Sequence, residues 1–207
     1  MRHHSARGEV PRLKDDPAPL SSCVYARASS LTDVPAGARL LDPARLAVDR
    51  SCVLDLFDEF KALVAELEKS NIDYALCGGL AMAVYGLARA TIDIDILIRP
   101  ADFERARELG RKLGYVVDAA PISFHSGDIE IRRISKLDPS SGDLLMLDLL
   151  LTTPAVERAF QSRAPVGWDH GVVWVVSRDG LIAIKSLRRS GQDLDDIARL
   201  QEDGDEG

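Results

Sequence analysis

Residues 77–98 read CGGLAMAVYGLARATIDIDILI, and the fold turns on them. Tyr74–Cys77 is a short apolar strand that runs into Gly78-Gly79. Leu80 to Leu87 has the composition of a short helix, and Thr91–Ile98 alternates apolar and polar residues as a strand does. Side chains on a strand alternate faces. Thr91, Asp93 and Asp95 therefore share one face, and Ile92, Ile94 and Ile96 share the other. Two carboxylates side by side repel, and burial would raise their pKa. A divalent cation removes that conflict, and hard oxygen donors suit Mg²⁺ or Mn²⁺. The plain alternative is a half-exposed edge strand with two solvated aspartates, although Asp is disfavoured in strands.

Working outward, helices alternate with strands. Residues 52–70 place Val53, Leu56, Phe57, Phe60, Leu63, Val64 and Leu67 at helical spacing, with Ser51 as expected N-cap and Asn71 at the end. Residues 101–113 form a second such helix, closed by Gly114. Ile129–Ile134 and Leu144–Leu151 read as strands, joined by a loop that contains Asp138-Pro139 and Ser141-Gly142. Pro154 opens a short helix, and Val172–Val176 is a strand. Ser177 caps a helix through Arg188, Gly191 breaks it, and Leu194, Ile197 and Leu200 line a last helix. This order predicts an α/β (α+β) fold: a mixed β-sheet with flanking helices and a short C-terminal helical segment.

Two further features bear on chemistry. Asp148 is the only charge in Leu144–Leu151, and an Asp centred in so apolar a strand needs a partner. It is either a hydrogen-bonded core residue or a third carboxylate facing Asp93 and Asp95. Gly78-Gly79 stands between a strand and a helix, where backbone N–H groups and the helix dipole favour a phosphate. It is equally a simple turn, and no Walker-type lysine follows it. Three carboxylates, two cations and a glycine-cradled triphosphate would make a site for phosphoryl transfer.

Composition narrows the classes. The 207-residue chain is 46% hydrophobic and 29% charged, which excludes disorder along its whole length. The net charge of −7 argues against a broad non-specific nucleic-acid surface. Cys23, Cys52 and Cys77 form no CxxC pair, so neither a disulfide framework nor a zinc site is expected. No apolar run reaches the roughly 20 residues of a membrane helix, and there is no secretory h-region. A cytoplasmic protein without membrane association is the expectation. Residues 1–47 carry seven basic against five acidic residues, half of the ten prolines and no sustained period. They are expected to be a disordered extension, with residues 48–207 as the single folded domain, ending in an acidic tail.

The segment Gly78-Gly79, then residues 80–92 and then Asp93-x-Asp95 resembles the signature of the DNA polymerase beta-type nucleotidyltransferase superfamily. Asp148 fits that superfamily's third carboxylate on a later strand. The stretch LIAIKSLRRSGQDLDDIARL, with Lys185 and Asp193-x-x-Asp196-Ile197, resembles a further block of its abortive-infection and toxin-type (AbiEii-like) branch. Larger members of that branch carry a longer C-terminal helical lobe that helps hold the acceptor; the sequence here runs only a few residues past the Asp-x-x-Asp helix, so the resemblance leaves the acceptor open. The resemblance implies a metal-dependent nucleotidyltransferase that uses Mg²⁺ or Mn²⁺ to move an NMP from an NTP to an acceptor hydroxyl. The acceptor would be a tRNA, a protein or a small molecule. It also implies a possible toxin–antitoxin or phage-defence setting with a cognate antitoxin. Asp93, Asp95 and Asp148 would be the catalytic metal ligands. Gly78, Gly79, Arg89 and Lys185 would bind nucleotide. Arg89 also reads as a solvated loop residue, Lys185 as a surface lysine, and Asp193 and Asp196 as cap and surface charges. The contrasting function is a catalytically silent nucleotide-binding or antitoxin-like module of the same fold; a hydrolase or structural protein is more distant.

Overall fold

The computed structural model describes residues 55–139, 141–168 and 171–202. The N-terminal 47 residues and Ser51 lie outside the described residues. Helix α1 spans Leu56–Lys69, and its N-cap is Asp55, not Ser51: the Asp55 carboxylate accepts hydrogen bonds from the Phe57 and Asp58 N–H groups. Its apolar stripe, Leu56, Phe57, Phe60, Leu63, Val64 and Leu67, is buried throughout.

Strand β1 is Tyr74–Leu76 and helix α2 is Gly78–Val84, so both glycines belong to the first turn of the helix. Strand β2 is Asp93–Ile98, and helix α3 is Phe103–Lys112 after a single 3₁₀ turn opened by Pro100. Three strands follow that hydrophobic patterning did not show or showed only in part. They are β3 (Val117–Asp118), β4 (Ile122–Phe124) and β5, which runs Ile129–Leu137, three residues beyond its expected end. Strand β6 is Leu144–Leu151, as read from the sequence. Helix α4 (Glu157–Gln161) leads into β7 (Ala164–Trp168), another unexpected strand, and β8 (Gly171–Val175). Ser177 caps helix α5 (Arg178–Arg188) through its side chain, which accepts from the Gly180 N–H. Arg189 ends α5 in the left-handed conformation, and α6 spans Gly191–Glu202.

The described strands form one mixed sheet in the order β3-β5-β6-β2-β1-β8-β7, with β4 also on β5. β2 runs parallel to β6 and antiparallel to β1, so the aspartate strand is central, not an edge. One face carries Ile94, Ile96, Leu147, Leu149 and Ile134, all buried. Helix α3 lies there: a Cβ on its Gly110 would sit 2.5 Å from Ile134 and 3.4 Å from Leu147. The other face carries the charged residues and is met by α2. Period-2 alternation alone keeps the isoleucines and leucines on the first face and the carboxylates on the second. No helix among the described residues is long and apolar enough to cross a membrane.

Candidate active site

The register of three strands aligns the site. Asp95 on β2 is the direct partner of Asp148 on β6, and Asp148 is the direct partner of Arg133 on β5. Asp93 stands two residues before Asp95 on the same face. One oxygen from each of Asp93, Asp95 and Asp148 lies within 4.8 Å of the other two. The three predicted carboxylates therefore meet, and two of them are deeply buried, Asp95 at 4% exposure and Asp148 at 1%.

Their surroundings differ. Asp93 accepts a hydrogen bond of 2.5 Å from the Thr91 hydroxyl. Asp148 is held bidentately: Arg133 Nε and one Nη each donate to a separate carboxylate oxygen at 2.7 Å. Asp148 is thus a hydrogen-bonded core residue and a member of the cluster at once. Asp95 has neither advantage, and its buried Oδ1 has no hydrogen-bond partner. Its carboxyl is pushed up to about 7, first by burial, then by the charges of Asp93 and Asp148, with Arg188 and Lys185 pulling the other way. A buried polar atom left without a partner is uncommon in a native core. Here it belongs to a hard oxygen donor facing two others, a donor set that fits Mg²⁺ or Mn²⁺.

Gly78 closes the site from the α2 side. Its φ is +62°, and a Cβ there would fall 1.7 Å from Asp95 Oδ2. A Cβ on Gly79 would fall 2.6 Å from Thr91 Oγ1. The Gly-Gly pair is thus more than a turn: it lets the helix start lie directly on the aspartate strand. Cys77, the N-cap, makes no side-chain cap bond, so the first-turn N–H groups have no side-chain partner from that residue.

Arg89 and Lys185 meet elsewhere, on Asp196. Lys185 Nζ donates to Asp196 at 2.6 Å and lies 3.5 Å from Asp193; Arg89 Nε donates to the same Asp196 oxygen at 3.1 Å. Lys185 is 3% exposed, which corrects the surface-lysine alternative, and Arg89 is a bonded residue, not a free loop cation. Asp193 and Asp196 are buried, not surface charges. Asp193 does cap α6, in a reciprocal box with Ser190: each side chain accepts the other's backbone N–H at 3.1 Å. Arg188 adds two hydrogen bonds to Asp193. Burial pushes the Asp193 carboxyl up, but the bonds from Ser190 and Arg188 outweigh it and hold it below its usual value.

Sequence reasoning missed Arg133. Its only signal was a pair of arginines in an otherwise apolar strand, and which of Arg132 and Arg133 faces Asp148 depends on the hairpin register.

No family profile and no curated protein matches the chain. Among solved structures it is similar to a candidate nucleotidyltransferase of Thermotoga maritima at 12% identity and a TM-score of 0.42, over 70% of this chain and 88% of that one. It is also similar to ANT(2″)-Ia in complex with adenylyl-2″-tobramycin, at 16% identity and a TM-score of 0.43, over 68% of this chain and 84% of the other. A third likeness is to JHP933 of Helicobacter pylori, at 15% identity and a TM-score of 0.44, over 70% of this chain and 64% of that one.

Proposed function

We propose that the chain is a metal-dependent nucleotidyltransferase, acting through one domain over residues 48–207, that moves an NMP from an NTP to an acceptor hydroxyl. One observation carries this reading: three aspartates converge on one sheet face while Asp95 keeps a buried oxygen with no partner. A core that needed only a polar group would satisfy it. Asp93, Asp95 and Asp148 would hold Mg²⁺ or Mn²⁺. Bound there, the cation supplies charge stabilisation at the transferring phosphoryl group and the pyrophosphate. Asp148 takes the proton of the acceptor hydroxyl. Gly78 and Gly79 present first-turn N–H groups to the triphosphate. Arg89 and Lys185 complete the nucleotide set from the α5–α6 side, with Asp196 as their shared anchor. A toxin–antitoxin or phage-defence role with a cognate antitoxin belongs to this proposal as its setting.

A second reading is favoured by one contact. Arg133 occupies both oxygens of Asp148, as suits a catalytically silent nucleotide-binding or antitoxin-like module.

One experiment separates the two. Each labelled NTP is incubated with the protein, Mg²⁺ or Mn²⁺, and in parallel with tRNA, extract protein or hydroxyl-bearing small molecules. Label should move to one acceptor class. Asp93→Asn, Asp95→Asn and Asp148→Asn should each abolish most transfer, and combining them should add little. Melting with metal and NTP should rise as for native-state binding, about 2.7 kcal/mol at 100-fold Kd. A melting shift without transfer to any acceptor favours the silent module. Absence of both sinks the metal-dependent reading.

A further inference from the structure

Arg133 is bonded directly to the carboxylate cluster, and the proposed reaction gives it no task. It stands directly opposite Asp148 across the β5–β6 pair, and its two 2.7 Å bonds use both Asp148 oxygens. A bidentate guanidinium–carboxylate pair is among the stronger charge-assisted contacts. The two partners are unequally fixed: the Asp148 side chain is 1% exposed, whereas that of Arg133 is 30% exposed. The carboxylate is locked, and the guanidinium has a way out to water.

The charges around the cluster are unevenly answered. Lys185 and Arg188, the other cations acting on Asp95, are committed to Asp196 and Asp193. Asp93 has the Thr91 hydroxyl, and Asp95 Oδ1 has nothing. Among the described residues, a single guanidinium therefore bonds to the three clustered carboxylates. With all three ionised, as a bound cation would hold them, two negative charges remain on the cluster.

We propose that Arg133 is a built-in counter-ion that competes with the divalent cation for Asp148. This rests on the metal-dependent reading above. While Arg133 holds Asp148, its charge and its two bonds weaken Asp148 as a ligand, and Asp93 and Asp95 are the stronger donors. A cation draws fully on the third carboxylate as the guanidinium loosens its hold and turns to solvent. Arg133 is in this sense a positioning residue: it sets how strongly Asp148 serves the site.

The test is a Mn²⁺ titration of the full chain without NTP, read by the electron paramagnetic resonance signal of free Mn²⁺. Wild type, Arg133→Gln and Arg133→Lys are compared, with melting in EDTA alongside. Arg133→Gln should bind Mn²⁺ roughly tenfold more tightly, within the usual range of coupling between two ligands of one site. Its metal-free melting temperature should fall, and saturating Mn²⁺ should close that gap. Arg133→Lys keeps the charge but loses the planar fork, so its affinity should fall between the two. A lowered melting temperature with unchanged or weaker Mn²⁺ binding would make Arg133 purely structural and overturn the proposal. If Arg133→Gln does not fold, Arg133→Lys decides: tighter binding than wild type supports the competition, and equal binding overturns it. Mn²⁺ binding to none of the three proteins would overturn the metal-dependent reading together with this one. Equal binding by all three overturns the competition alone.

Discussion

Asp95 is the residue where geometry and titration meet. Its folded pKa of about 7 stands above the roughly 3.9 of an unfolded aspartate. The native state therefore holds the proton more tightly. Asp95 favours folding fully below about pH 4, and that contribution is lost as pH rises through about 7. In EDTA, Asp95→Asn should therefore gain on wild type as pH climbs across this window. Melting curves of both proteins at matched pH check it, and parallel profiles would contradict the burial argument. Gly78 is the second sensitive position. Gly78→Ala places a methyl 1.7 Å from Asp95 Oδ2 at a φ of +62°. The left-handed backbone alone costs roughly 1–2 kcal/mol, and the carboxylate must shift as well. Urea unfolding should show at least that loss, with weaker Mn²⁺ binding beside it. A neutral Gly78→Ala would mean that the helix start moves freely off the strand.

At the scale of elements, α5 and α6 are joined by a buried ionic cluster rather than by an apolar seam alone. Lys185 of α5 reaches Asp196 and Asp193 of α6, both nearly inaccessible. Removing one partner of a buried pair leaves the other charge uncompensated, which costs about 3–5 kcal/mol. Lys185→Met should lose stability of that order in urea unfolding. Full stability with lost NTP binding would instead make Lys185 a simple nucleotide contact. The sequence could not show this burial, because a lysine at i and aspartates at i+8 and i+11 match a solvated helix pair equally well. Strands divide in the same way. β2 and β6 were legible because their alternation or apolar length is unambiguous, and so was the shared face of Asp93 and Asp95. β7 was not, since Pro165 and Gly167 weaken its strand pattern. β3 has only two residues and is exposed on both. The three carboxylates were legible as a set, but the bond from Arg133 required the pairing of β5 with β6, which no local pattern states.

For the whole molecule, the sheet joins contacts of very different reach. Arg133 and Asp148 lie 15 residues apart on one hairpin, whereas β2 meets β6 only after α3, β3, β4 and β5 have been traversed. Short loops close at lower entropic cost, and distant pairings form later. The hairpin is thus expected to form first, bringing Asp148 to β2 with its charge already answered. Arg133→Gln should slow refolding more than it speeds unfolding, while Asp95→Asn should act mainly on the unfolding limb. Stopped-flow chevrons of both variants measure this, and an Arg133→Gln effect confined to unfolding would contradict it. In that sequence of events the two hydrogen bonds of Arg133 serve as an escort. They carry an acid past the stage at which two others would repel it, and the hairpin delivers a neutral pair, so that fewer like charges meet as the strand row is assembled.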